Sequence, residues 1–507
     1  MPWLWIAAVC LVVAGAAIGR RFPFHEAVVW CVLGYAAGFL PGFAELRLEP
    51  HAALLLILPP LVYASSVRLP WPEFRANLRP IAILAFGLVL LHITVVAALA
   101  HFAAALPWAV AIALGAIVSP TDPAAATAVA ARVGLPGKLV AILEGEGLVN
   151  DAVALTILRL ALVAAATEAF SAGSGLARFA VIVVGEPLYG WLLGIAVVAL
   201  RRRIEDPRLD ITVSLLTPFA AYLVPEFLGG SGILATLATG MYVGEQLPVV
   251  VPAGTRLKST SVWEVIVFLL NGMLFLMAGI ELQGLIRPAE SARLPGWTLI
   301  VAAAIVLTRA VWCGAMWLAL HGTRLLDEEA ARPMPPRHMA VVAWSGMRGP
   351  ISLAAALSVP VISHGVGRAE FNDIVLATAV VIAATLVAQG ISLPYLARAM
   401  GIPADAEEER REDRRQVALA HGEAAKTALA RLDADGTADA RFADLVRRYY
   451  TERLIDVEVP GPNRELRRAL IEAERKRIRE LRREGRINDR AVEQLERELD
   501  LRESLLA

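Results

Sequence analysis

Three carboxylate side chains lie within two apolar segments of the chain. Asp122 belongs to the run S-P-T-D-P at residues 119–123, and Glu146 and Asp151 belong to the run G-E-G-L-V-N-D at residues 145–151. An ionisable group at membrane depth costs about 2.5 kcal/mol or more even on lenient scales, so such a group indicates a functional site. Three of them close together predict a site where protons or cations bind.

Helical spacing places the polar residues of the run G-E-G-L-V-N-D near one another. Glu146 and Asn150 are four residues apart and share a helix face, while Asp151 lies one step further round. An amide beside a carboxylate can donate a hydrogen bond that holds it in place. The negative charge of a buried carboxylate is neutralised when it binds either a proton or a cation. Asp151 could therefore exchange the two, as a proton-driven exchanger requires, although polar groups that only pack helices together are the alternative.

Proline and glycine residues predict that two apolar helices are interrupted. Pro120 and Pro123 flank Thr121 and Asp122 in the fifth apolar segment, and W-S-G-M-R-G-P at residues 344–350 has the same character in the twelfth. An interrupted helix exposes carbonyl groups and half-helix ends that can bind a cation. Asp122 either caps the second half-helix or supports an ion site, and the two roles are compatible.

Two arginines and a glutamate within apolar segments need partners, because arginine does not lose its charge inside a protein. Arg348 is expected to face one of the carboxylates and to compensate the charge of the core. Arg309 and Glu226 are expected to pair with each other, mainly in a structural role.

The elements that must position these residues are membrane-spanning helices. Hydrophobic residues make up 57% of the 507 residues, and the mean hydropathy is +0.59, which excludes a soluble globular protein. Thirteen apolar windows are long enough to span a bilayer. They are residues 4–19, 24–42, 51–67, 80–104, 108–131, 139–166, 176–200, 210–227, 231–247, 262–284, 297–320, 338–360 and 371–398.

Basic residues predict one orientation for these spans. With the N-terminus outside, sixteen Lys and Arg residues fall in cytoplasmic loops and five in outer loops, the bias expected of a single consistent topology. An odd number of spans then places the C-terminal tail in the cytoplasm.

A polar tail follows the predicted transmembrane domain of residues 1–400. Residues 401–507 hold 25 of the 48 acidic and 23 of the 48 basic residues and predict a charged helical tail, either solvated or regulatory. Two tail helices are expected, at residues 464–484 and 489–505. The three cysteines have no metal-type spacing, and the eight histidines are scattered and expected to be mostly interfacial or solvated, so no cofactor is expected.

Seven motifs in order resemble the bacterial sodium/proton antiporters of the monovalent cation:proton antiporter-1 family. The motifs are L-P-P-L at 58–61, S-P-T-D-P at 119–123, G-E-G-L-V-N-D at 145–151, S-G-I-L-A at 231–235, F-L-L-N-G at 268–272, W-S-G-M-R-G at 344–349 and L-V-A-Q-G at 386–390. The resemblance covers nearly all of residues 1–400. It implies an all-α membrane fold with inverted repeats and two broken, crossing helices. It also implies a homodimer in the bacterial cytoplasmic membrane that works by alternating access.

The resemblance also implies roles for individual residues. Asp151 would bind the proton and the cation in competition, and Na⁺ would lie between Asp151, Glu146 and Thr121. Asn150 and Asp122 would complete the ion-binding group, with Arg348 nearby. The Asn-Asp pair at 150–151 implies electroneutral exchange of Na⁺ or Li⁺ for H⁺, with no cofactor and no nucleic-acid partner.

Two residues depart from the family pattern, and other functions stay open. Gly147 stands where many relatives have a serine, and Ala64 stands where relatives commonly have an acidic residue. We expect a water molecule or a backbone carbonyl to supply the oxygen atom that the serine would provide. K⁺/H⁺ exchange by the same fold is the nearest alternative, because no residue here fixes the size of the ion cavity. A cation channel and an intramembrane hydrolase are more distant. The sequence has no H-E-x-x-H and its motifs offer no Ser-His pairing, so we expect a protein that is not an enzyme.

Overall fold

The computed structural model describes residues 2–19, 26–43, 50–69, 71–122, 133–167, 172–285, 296–324, 334–359 and 366–408, with residues 411, 412 and 415. Within these ranges the regular structure is helical, without β-strands. The chain divides into two compact units, Met1–Glu407 and Glu408–Ala507. The tail helices predicted at 464–484 and 489–505 lie outside the described residues.

The helices of the first unit are numbered here in chain order. They are α1 (Pro2–Gly19), α2 (Glu26–Ala37), α3 (Pro50–Arg68), α4 (Trp71–Ala76), α5 (Leu78–Ala82), α6 (Val89–Ala104), α7 (Trp108–Val118), α8 (Gly137–Thr167), α9 (Ala172–Arg201), α10 (Pro207–Phe227), α11 (Ile233–Val250), α12 (Ala253–Leu285), α13 (Gly296–Arg324), α14 (Pro336–Trp344), α15 (Pro350–Leu357) and α16 (Arg368–Ala399). A π-helical segment, Ile83–Leu88, joins α5 to α6.

The described helices confirm an all-α, multi-pass membrane fold. Seven helices in the described ranges are long and apolar enough to cross a membrane, and four shorter helices are also apolar. Every predicted window contains at least one helix. Helix α10 and the short helices α14 and α15 are not among those eleven, so the number of thirteen crossings stays a prediction.

Small residues let several helices approach each other closely. A Cβ atom on Gly34 of α2 would lie 2.0 Å from the carbonyl oxygen of Leu276 in α12, and one on Gly279 of α12 would lie 2.1 Å from that of Cys31. These two contacts are reciprocal, and neither leaves space for a side chain. Small residues at helix contacts are the usual means of tight packing in membranes, where burial of apolar surface drives association only weakly.

Helix α8 lies at the centre of the first unit and carries three of the predicted site residues. It packs against α7 and the π-helical segment on one side and contacts α3, α9, α11 and α14 on others. Glu146, Asn150 and Asp151 are all buried in this position. The surroundings of α8 therefore decide which groups these side chains meet.

Both predicted interruptions are present as far as the structure describes them. Helix α7 ends at Val118, and residues 119–122 are not helical. Residues 123–132 lie outside the described residues. Residues 345–349 separate α14 from α15, which begins with Pro350 at its first turn. Proline is favoured there because the first turn of a helix does not use its amide hydrogen.

Candidate functional site

The two interrupted segments contact each other directly. The backbone N–H of Asp122 donates a hydrogen bond to the carbonyl of Met347 over 2.8 Å. Arg348 Nε donates in the opposite direction, to the carbonyl of Val118 over 2.9 Å. The non-helical stretch after α7 and the one between α14 and α15 are thus joined by hydrogen bonds at the point where helical bonding is lost.

Arg348 is fully buried, and its described hydrogen bonds go to carbonyl groups and His92 rather than to a carboxylate as predicted, although Glu146 lies within electrostatic range of it. Its guanidinium group donates to the carbonyls of Val118 and Gly346 and to Nδ1 of His92. Val118 is the last residue of α7, and Gly346 follows the end of α14. The C-terminal end of a helix carries partial negative charge, so the two half-helix ends help to stabilise the cation.

His92 in α6 is a site residue that the sequence analysis missed. It is 1% exposed, and its Nε2 lies 3.1 Å from the carbonyl oxygen of Ile305. Because a carbonyl only accepts, Nε2 carries the hydrogen, and Nδ1 accepts from Arg348 at 3.2 Å. The ring is therefore neutral in this arrangement. Its place inside the apolar run V-L-L-H-I was the available signal. His92 is an exception to the expectation that the histidines are mostly interfacial or solvated.

Glu146 is paired with Arg309, which corrects the predicted pairing of Arg309 with Glu226. Both carboxylate oxygens of Glu146 accept from the guanidinium group of Arg309 in α13, and both side chains are almost completely buried. Arg309 also donates to the carbonyl of Val342 in α14. The pair links α8, α13 and α14, and it places Glu146 in a structural interaction.

Glu226 instead binds Arg159, a residue for which no partner was predicted. The Arg159 guanidinium group donates to Glu226 and to the carbonyl of Gly230, beyond the end of α10. The side chain of Arg159 is 35% exposed and that of Glu226 16%, so this pair is closer to the surface than the pair of Arg309 with Glu146.

Another buried carboxylate, Glu186 in α9, was also missed. It accepts hydrogen bonds from the backbone N–H groups of Ser231 and Gly232, which directly precede α11. A carboxylate at the N-terminus of a helix satisfies free N–H groups and complements the positive end of the helix dipole. Glu186 therefore caps α11 and accounts structurally for the S-G-I-L-A motif.

Thr121, Asn150 and Asp151 provide oxygen atoms between α7 and α8. Asn150 Nδ2 donates to the hydroxyl of Thr121 over 2.8 Å, rather than to a carboxylate. Asn150 Oδ1 is buried without a hydrogen-bond partner among the described residues. Asp151 is 5% exposed, makes no hydrogen bond or ion pair with any residue that the structure describes, and lies within electrostatic range of Asp122. Hydroxyl, amide and carboxylate oxygens are the ligands that hard cations prefer.

Gly349 lies against Asp122 where the interrupted segments meet. Its φ of −111° and ψ of 179° are open to any residue, but a Cβ atom there would lie 2.6 Å from Cγ and Oδ2 of Asp122. Gly349→Ala is therefore expected to displace Asp122 and to destabilise the protein by about 1–3 kcal/mol, as overpacking does. Thermal unfolding of the purified protein measures this.

Gly390→Ala is the matched control for that substitution. A Cβ atom on Gly390 would lie 3.6 Å from Sδ of Met347, which is ordinary van der Waals contact. We expect its melting temperature to match that of the unmodified chain. Equal melting temperatures for both alanine variants would contradict the close contact between Gly349 and Asp122.

Comparisons with known proteins were made for sequence and for structure. A family model described as "Sodium/hydrogen exchanger, transmembrane" matches residues 7–399. A Mycobacterium tuberculosis protein named as an uncharacterized Na⁺/H⁺ exchanger is 32% identical and covers 98% of this chain and 95% of its own length. A Bacillus subtilis protein, named as a sodium, potassium, lithium and rubidium/H⁺ antiporter, is 31% identical over 75% of this chain and 59% of its own length.

The fold is also similar to that of a solved structure. The sodium proton antiporter MjNhaP1 from Methanocaldococcus jannaschii aligns with a TM-score of 0.63 over 78% of this chain and 97% of its own. The sequence identity is 18%, so this match concerns the fold. It agrees with the all-helical architecture described above.

Proposed function

This chain belongs to the sodium/hydrogen exchanger family, and we propose that it exchanges Na⁺ for H⁺ by alternating binding of the two ions at Asp151. Members of this family are transporters and not enzymes. The observation that carries the proposal is the Asp151 carboxylate, which is buried and lacks a bonding partner among the described residues, beside the hydrogen-bonded pair of Asn150 and Thr121.

The physical basis is the high free energy of a buried carboxylate that has no bonding partner in the described part of the chain. A charge removed from water without a partner is disfavoured by several kcal/mol, so Asp151 gains stability by binding either a proton or a cation. The two occupants neutralise the same charge and exclude each other. Transport follows if the occupied site is presented to each side of the membrane in turn, which couples entry of one ion to exit of the other.

Neighbouring charges support exchange of one ion for one proton. Arg309 is matched by Glu146, and Arg348 is held by half-helix ends, so these groups need no transported ion. Asn150 is neutral. If Asp151 alone takes up H⁺ or Na⁺ and the charge of Asp122 is the same in both states, the same charge moves in both directions and exchange is electroneutral.

The ligands of Na⁺ are proposed to be the oxygens of Asp151, Asn150 and Thr121. Glu146 was predicted as a further ligand, but both of its oxygens bind Arg309, so we propose that it acts through that pair. Asp122 supports the site from the interrupted segment. Water or a carbonyl supplies the oxygen that Gly147 does not.

The setting of this site is also part of the proposal. We propose a homodimer in the bacterial cytoplasmic membrane, with the N-terminus outside and the tail inside. Na⁺ is favoured as the substrate because it alone stands in the name of the relative from Mycobacterium tuberculosis, whereas the name of the relative from Bacillus subtilis gives sodium together with potassium, lithium and rubidium.

Proteoliposomes with a preset pH gradient test this function. Addition of Na⁺ or Li⁺ is expected to collapse the gradient, at a rate that is the same whether the membrane potential is clamped or free, because no net charge moves. A rate that changes when the potential is clamped would contradict electroneutral exchange. A response to K⁺ alone would support antiport with K⁺ instead of Na⁺ as the substrate. Current without proton flux would indicate a channel.

A further inference from the structure

A cavity separate from Asp151 lies where several helices end on one side of the molecule. It has a volume of about 110 Å³, enough for several water molecules or a small anionic group, and is bordered by α3, α9, α10, α11 and α12. Arg68 at the end of α3, Arg201 at the end of α9 and Arg256 in the first turn of α12 all line it. This is the basic end of the helices, which the charge distribution of the loops predicts to lie on the cytoplasmic side.

The polar groups that line this cavity are mostly hydrogen-bond donors. The Tyr63 hydroxyl is buried and makes no hydrogen bond of normal geometry to the described residues, although the side chain of Thr217 lies close to it. The Ser214 hydroxyl oxygen accepts from Trp263 Nε1 over 2.8 Å, which leaves its own hydrogen to donate. The hydroxyl of Ser259, which is 8% exposed, lines the same space. Such a set of donors suits a ligand that only accepts, such as a phosphate group.

The arginines add an excess of positive charge. Arg201 is neutralised by Asp210, which it binds through Nε and Nη2 at 2.7 Å each, and its Nη1 has no bond to the described part of the chain. Arg256 uses Nη1 to bind two backbone carbonyls. Arg68 makes no described hydrogen bond or ion pair, although Glu144 lies within electrostatic range of it. None of the residues that line the cavity is acidic.

Apolar groups next to these donors indicate where the anion comes from. Val67 and Leu247 form part of the cavity wall. Leu257, which follows Arg256 in the chain, and Val249, two residues after Leu247, are 59% and 81% exposed. A free ion does not contact apolar surfaces of this kind, whereas the acyl chains of a lipid pack against them. Basic pockets between membrane helices at the cytoplasmic side are a recognised setting for anionic head groups.

We propose that this cavity binds the phosphate group of an anionic membrane lipid. The phosphate accepts from Arg68, Arg256 and the hydroxyls of Tyr63 and Ser259, while the acyl chains lie along the apolar helix surfaces outside. The inference does not depend on which ion is transported, because lipid binding is measured without transport.

Native mass spectrometry of the full chain in detergent tests the proposal, with phosphatidylglycerol or phosphatidylcholine added. The unmodified chain is expected to retain phosphatidylglycerol in preference to phosphatidylcholine. Arg68→Gln is expected to lower the retained phosphatidylglycerol by about fivefold, the effect of one basic residue near an anionic head group. Arg256→Gln should act in the same direction, so the test does not rest on one variant.

Arg203→Gln is the matched control, because Arg203 is exposed at the same end of α9 and does not line the cavity. It should retain phosphatidylglycerol as the unmodified chain does. Equal retention by all variants would overturn the site. A different result would identify the ligand as a soluble anion and overturn the proposal of a lipid. In that case the unmodified chain would bind inorganic phosphate, the Arg256 variant would not, and neither would prefer phosphatidylglycerol.

Discussion

Asp151→Asn is expected to reduce Na⁺-driven proton movement in proteoliposomes to the level of vesicles without protein. Asparagine has nearly the same size as aspartate, but its amide neither releases a proton nor presents a negative charge to Na⁺. The Asp151 side chain is buried and makes no bond to the described residues, so the fold is expected to tolerate this change. The measurement is the recovery of a preset pH gradient after addition of Na⁺.

Glu205→Gln provides the control for Asp151→Asn. Glu205 is exposed between α9 and α10, so the variant removes one carboxylate without changing the buried site. Its rate of Na⁺-driven proton movement should equal that of the unmodified chain. If the Asp151→Asn variant still exchanges Na⁺ for protons, Asp151 is not the ion-binding carboxylate. Asp122 and Glu146 would then be the candidates for that role.

Glu146→Gln is expected to destabilise the protein by about 3–5 kcal/mol, because loss of one partner from a buried ion pair leaves an uncompensated charge. Arg309 is 1% exposed and keeps its charge, so it has no access to water that would replace Glu146. The melting temperature of the purified protein reports the loss. The double variant Glu146→Gln with Arg309→Gln removes both charges and should recover part of the stability.

Arg337→Gln is the matched control for Glu146→Gln. Arg337 binds Asp405 over 2.9 Å, but its side chain is 49% exposed, and exposed ion pairs contribute about 0–1 kcal/mol. Its melting temperature should therefore change little. If Glu146→Gln melts like the unmodified chain and instead weakens Na⁺ binding, then Glu146 is a cation ligand and the structural assignment is wrong.

The positions of the site residues could be predicted because they depend on local sequence. The clustered proline and glycine residues at 119–123 and 344–350 favour interrupted helices, although single prolines such as Pro187 lie inside continuous helices of this chain. The spacing of Glu146, Asn150 and Asp151 fixes their relation on one helix. These features require no knowledge of how the helices pack. The all-helical membrane fold follows from hydropathy for the same reason.

Partners of the buried charges could not be predicted, because they depend on which helices lie side by side. Arg309 and Glu226 both needed a partner, but α13 faces Glu146 of α8, and Glu226 lies beside Arg159. Arg348 binds half-helix ends, and its contact with His92 joins residues 256 apart in the chain. A sequence shows that such charges must be matched but not by which group.

The most direct test of competition at Asp151 is the release of protons when Na⁺ binds to the purified protein. Release is measured by titration with NaCl in weakly buffered solution, with choline chloride to correct for ionic strength. We predict saturable release of one proton for each Na⁺ bound, and no release from the Asp151→Asn variant. Na⁺ binding without proton release, or equal release from the variant, would contradict the shared carboxylate.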